Sequence, residues 1–103
     1  MSALTVTKER FESEIINSSK PVLLQFFATW CGPCRMLSPI VDQIAQERTD
    51  IVVAKVDIDK EEELTERFDV MTVPAIFVIK DGEVVNQSAG VLPKDAILRM
   101  IQP

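Results

Sequence analysis

An α/β domain built on a mixed sheet is what the sequence predicts, and three features predict it. Short runs rich in Val, Ile and Phe recur between longer segments whose apolar residues return every three or four positions, so strands and helices alternate along the chain. Strands separated by helices form parallel βαβ units on a covered sheet. Near the end the alternation breaks: two strand-like runs flank Asp81-Gly82, a dipeptide suited to a tight hairpin, so the last pair is antiparallel.

Each element has its own signal. LTV at 4–6 is a short strand, and KERFESEII places Phe11, Ile15 and Ile16 on one helical face. VLLQFF at 22–27 is a buried strand interrupted by one polar residue, Gln25. CGPCRMLSPIVDQIAQER follows as an amphipathic helix, with Met36, Leu37, Ile40, Val41, Ile44 and Ala45 at helical spacing. Pro39 inside it removes a backbone donor and presses on the carbonyl of Arg35, which bends a helix. IVVAKVD at 51–57 is a second buried strand, and EEELTERF is a short helix whose acidic start suits the helix dipole. AIFVIK and EVVNQSA form the hairpin, and PKDAILRMI closes the chain as a helix with Pro93 near its first turn. The resulting order is βαβαβαββα. Phe11, Phe26, Phe68 and Phe77 read as core.

Composition bounds the function. A chain of 103 residues, 47% of them hydrophobic, is one domain's worth of core, so 1–103 reads as a single domain. A formal net charge of -5 without a Lys/Arg cluster argues against nucleic acid or an anionic membrane as partner. MSALTVTKERFE carries no basic region followed by an apolar stretch, and no run approaches the roughly 20 apolar residues that span a bilayer. A cytoplasmic protein is expected. In a reducing cytosol, its two cysteines point to catalysis or metal binding ahead of a structural staple.

The cysteines carry the chemistry. DIDKEEE at 57–63 is carboxylate-rich but lacks the glycine and the final glutamate of a calcium loop. A structural zinc site takes four Cys or His ligands, and a chain with two cysteines and no histidine would need a second chain or unusual carboxylates. A purely structural disulfide closing so short a loop constrains the unfolded chain little. Redox exchange fits best. If the helix begins at the first cysteine, Cys31 meets unpaired N–H groups and the positive end of the dipole, both of which favour a thiolate. Cys34, on the adjoining face of the first turn, is near enough to close a disulfide and less favoured by the dipole. Cys31 is then the nucleophile and Cys34 the resolving thiol. Gly32 removes bulk between them, and Pro33 fixes a helical φ where its missing donor matters little.

WCGPC at 30–34, with FFATWCGPCRMLSPI, VAKVDID, VPAIFVIKDGE and AGV in order along nearly the whole chain, resembles the thioredoxin family. The resemblance implies a five-stranded mixed sheet in the order 1-3-2-4-5 with four helices on both faces. It also implies a protein-disulfide reductase that acts as an electron carrier in cell redox homeostasis, with Gly32-Pro33 as in the reducing members. That order puts a topological switch point at the carboxyl end of VLLQFF, where open α/β sheets place their sites, and brings Val73-Pro74 beside it. The family implies a cis bond at Pro74, with Val73 pairing to the substrate backbone. Trp30, Gly32, Pro33, Val73, Pro74, Gly90 and Val91 would form the flat apolar substrate surface.

The same resemblance implies a monomer with no cofactor beyond its redox-active disulfide, disulfide-containing protein substrates, and regeneration by a separate flavoprotein thioredoxin reductase. No phosphate-cradling glycine loop is present for a nicotinamide of its own. Gln25 is the departure: the family commonly has a buried aspartate there which, with a lysine at Lys55, assists proton transfer at the resolving cysteine. An amide hydrogen-bonds without titrating, so Gln25 is expected to hold a water near Cys34. Phe27 likewise stands where many members have tryptophan. A binding adaptor that kept only the fold is the rival reading, and the intact Cys-Gly-Pro-Cys argues against it.

Overall fold

A computed structural model describes residues 3–102. The chain runs β1 (Leu4–Thr5), α1 (Lys8–Phe11), β2 (Val22–Phe27), α2 (Gly32–Glu47), β3 (Val52–Asp57), α3 (Glu62–Arg67), β4 (Ala75–Lys80), β5 (Glu83–Ala89) and α4 (Lys94–Ile101). The five strands form one sheet in the order β1-β3-β2-β4-β5, parallel across the first three and antiparallel thereafter. This is the expected thioredoxin-type arrangement.

Strand alternation divides the core into two layers. Val22, Leu24 and Phe26 of β2 join Ala54, Val56, Ala75, Phe77 and Ile79 beneath Phe11, Ile15 and Leu64. Leu23 joins Val53, Ile76 and Val78 beneath Leu37, Val41 and Ile44 of α2 and Ile97 and Ile101 of α4. Both faces are therefore covered. The four core phenylalanines interlock in the first layer: Phe68 lies 5.5, 5.4 and 5.1 Å from the rings of Phe11, Phe26 and Phe77, the separations that aromatic pairs prefer.

Local differences from the sequence reading have physical causes. The first helix widens after Phe11 into a π turn, Glu12–Ile16, in which the Asn17 N–H reaches back to the Glu12 carbonyl at 2.9 Å. Phe11 and Ile15 still bury together, while Ile16 is only partly covered. Met36 is 67% exposed and lies outside the buried stripe of α2. It is about 100° of turn from Leu37, at the margin of that stripe. Asp81 and Gly82 both have positive φ, 52° and 79°, as a tight hairpin turn requires. In the ladder above it Val78 faces Asn86 but Ile79 faces Val84, so Val85 is an extra residue and β5 bulges there.

Candidate active site

The carboxyl end of β2 and the start of β4 meet at one end of the sheet, with Phe26 opposite Ala75. Beyond β2 the Cys31 N–H turns back onto the Ala28 carbonyl at 3.2 Å. Cys31 has extended backbone and is the N-cap of α2, with Gly32 and Pro33 as the first helical residues. Its sulfur accepts the Cys34 N–H at 3.1 Å, satisfying one of the free donors of the first turn. Cys31 and Cys34 are disulfide-bonded, their Cα atoms 5.3 Å apart. Both are buried, with Ala28, against Phe27, Ile58 and Val73.

Of the residues expected at the substrate surface, Val73 packs against this bond and the others lie near it in the chain or the fold. Val73-Pro74 is cis, and the Val73 carbonyl oxygen lies 3.8 Å from Cys31 Sγ. Gly90 donates its N–H to the Pro74 carbonyl at 2.9 Å with φ +86°, a conformation that favours glycine, and so seats Val91 next to the same loop. Gly32 and Pro33 are exposed. A Cβ on Gly32 would meet no atom within 4 Å, so its role is not to clear space between the cysteines. Trp30 is 66% exposed, and its indole N–H donates to Asp59 at 2.9 Å. Asp59 is itself fixed, its N–H bonding the buried Asp57 carboxylate at 3.0 Å.

Behind the disulfide is a cleft of about 380 Å³ lined by Thr5, Phe27, Cys34, Arg35, Ser38 and Lys55, among others. Lys55 Nζ pairs with Asp42 at 3.0 Å and hydrogen-bonds the Ser38 hydroxyl. Arg35, which also lines this cleft, donates to the Thr29 carbonyl at 3.0 Å. Gln25 is fully buried and does not line the cleft. Among the described residues, neither its amide oxygen nor its nitrogen has a partner.

The thioredoxin family model matches residues 2–103. The chain is 42% identical to the thioredoxin of Mycobacterium tuberculosis (strain H37Rv) over 99 residues, covering 95% of this chain and 85% of that one. It belongs to the thioredoxin family. Thioredoxin 1 of Synechococcus elongatus is 41% identical over 96 residues, covering 92% of this chain and 90% of that one. A bifunctional thioredoxin reductase/thioredoxin of Mycobacterium leprae is 39% identical over 97 residues, which are 93% of this chain and 21% of that one.

With that membership and the Cys31–Cys34 pair at disulfide distance, the protein is a thiol-disulfide oxidoreductase that reduces protein disulfides by dithiol exchange. Among the described residues no helix is long and apolar enough to cross a membrane, and no group of His, Cys, Asp or Glu is arranged to hold a metal ion. Of the thioredoxin-type supporting pair, Lys55 reaches the cleft beside Cys34 while Gln25 stays in the core. Sequence reasoning missed Ser38, Asp42 and Asp59. The first two were readable as positions four and eight residues after Cys34, one face of one helix.

Proposed function

We propose that Cys31 attacks the substrate disulfide and Cys34 resolves the resulting mixed disulfide. The observation that carries this is the Cys34 N–H directed at Cys31 Sγ across the helix N-terminus, a donor that would stabilise a thiolate on Cys31. Substrates are proteins carrying accessible disulfides. Their backbone pairs with Val73 beside cis-Pro74, and their apolar side chains rest on Trp30, Gly32, Pro33, Gly90 and Val91. The exposure of Trp30 and Val91 supports this docking surface.

The protein acts as a single-domain, cytoplasmic, monomeric electron carrier that needs no cofactor beyond its own disulfide. Electrons return from a flavoprotein thioredoxin reductase, a partnership supported by the Mycobacterium leprae relative that carries both names in one chain. Cys31→Ser should abolish insulin reduction, and Cys34→Ser should accumulate substrate proteins as mixed disulfides on Cys31. Trapping through Cys34 in the Cys31→Ser protein would reverse the assignment.

A further inference from the structure

We propose that the Ser38 hydroxyl, oriented by Lys55 and Asp42, stabilises the Cys34 thiolate in the resolving step, so that this chain resolves its mixed disulfide without a carboxylate on β2. The inference rests on Cys34 being the resolving thiol. Cys34 and Ser38 are one turn apart on α2, on the same helix face, and both open into the cleft behind the disulfide. Lys55 forms another part of its wall. An ammonium can only donate, so the Lys55–Ser38 bond occupies a lone pair of the hydroxyl and leaves the hydroxyl's own proton free to point elsewhere. Asp42, a further turn along α2, anchors the ammonium at 3.0 Å. Cys34, Ser38 and Asp42 thus form a row on one helix with Lys55 bridging the last two.

The chemistry asks for such a donor. In the mixed disulfide, Cys31 Sγ is bonded to a substrate sulfur and Cys34 carries its proton. Burial opposes ionisation of that thiol. When the proton leaves to solvent through the cleft, negative charge develops on Cys34 Sγ one turn from the Ser38 hydroxyl, whose free proton can turn toward that charge. The Cys34–Cys31 bond then forms and the Cys31–substrate bond breaks. The electron pair departs on the substrate sulfur, which takes a proton from solvent. The substrate disulfide has gained two electrons and the cysteine pair has lost two.

Other charged groups also surround the site. Arg35 lines the cleft, and one of its guanidinium nitrogens donates to the Thr29 carbonyl. Asp57, at the end of β3, accepts from the Asp59 N–H, and the Asp59 carboxylate accepts from Trp30. Cys31 is itself covalently engaged at this stage.

Rapid-mixing kinetics with a disulfide-linked fluorescent peptide separates the two half-steps. In Ser38→Ala, mixed-disulfide formation followed in a Cys34→Ser background keeps the parent rate. Resolution slows about threefold near neutral pH, a roughly tenfold lower thiolate fraction being partly offset by the greater nucleophilicity of the more basic thiolate. The pH-rate curve of resolution moves upward by about one pH unit. Ser38→Thr, which keeps the hydroxyl, restores both. Lys55→Met also slows resolution, and its effect combined with Ser38→Ala is smaller than the product of the two, as expected when one residue acts through the other. A resolution curve unchanged in Ser38→Ala, an equal slowing of both half-steps, or failure of Ser38→Thr to rescue overturns the proposal. A Cys34→Ser protein that accumulates no mixed disulfide overturns instead the assignment of Cys34 on which it rests.

Discussion

Gln25 and Lys55 stand opposite each other in register on β2 and β3, yet the Lys55 ammonium turns to Asp42 and Ser38 and leaves the Gln25 amide without a partner among the described residues. An unpaired buried polar group costs about 1–3 kcal/mol. Gln25→Met keeps the length of the side chain and removes its polar atoms, so it should stabilise the fold by about that amount. The urea midpoint measures it. No change in midpoint would mean that the amide is hydrogen-bonded to buried water.

Gln25→Asp tests the same position with a charge. Burial disfavours the ionised form, and Lys55 is already paired elsewhere, so the folded pKa of the new aspartate should rise above its unfolded value of ~3.9. A raised carboxyl pKa means the folded state holds the proton longer. The variant therefore loses nothing through ionisation below the unfolded pKa. It loses about 1.4 kcal/mol per pH unit as pH climbs from there to the folded pKa, and stays at that deficit above it. Denaturant midpoints taken across this range give the curve. A profile parallel to the parent's would show that position 25 does not desolvate a charge.

Trp30 is the only indole, adjoins Cys31 and is held by Asp59. Its emission should resemble that of a solvated indole, and its intensity should rise when dithiothreitol opens the disulfide. Asp59→Ala frees the ring and should weaken that response together with substrate affinity, leaving the fold intact because the pair is exposed. Equal fluorescence changes and equal substrate affinity in both proteins would show that Asp59 does not position the ring.

Gly82 has φ +79°, and a Cβ there would lie 3.3 Å from both Cγ2 and the carbonyl oxygen of Ile16. Gly82→Ala combines a left-handed backbone penalty with a contact against main chain, for a loss of about 1–2 kcal/mol. Thermal melts of the two proteins measure it, and equal midpoints would mean that the hairpin and the π turn shift apart freely.

These positions also mark how far the sequence could be read. The hairpin was legible to the residue, because Asp81-Gly82 leaves little freedom to the strands on either side. The site cysteines were legible because cap, spacing and following helix agree, and the structure makes Cys31 the N-cap. Helical periodicity alone could not separate an α turn from the π turn after Phe11, since both bury residues four apart. Nor could it exclude Met36 from the stripe, because a residue at the stripe's margin is buried only where the sheet reaches it. The Ser38–Lys55–Asp42 row was hidden for another reason. It joins two elements, and each of its members alone resembles an ordinary solvated polar residue.

The bulge at Val85 bears on how this protein behaves when crowded. β5 is an outer strand with Val84 and Val85 both substantially exposed, the kind of border onto which a second sheet could crystallise strand by strand. Two residues set against one twist that border, so a straight partner falls out of step after a short stretch. At the opposite margin β1 spans two of the described residues, Leu4–Thr5. Deleting Val85 would straighten the ribbon while leaving its other pairings with β4 in register, giving a molecule that keeps its sulfur chemistry while dilute and grows into fibrous deposits as it is concentrated.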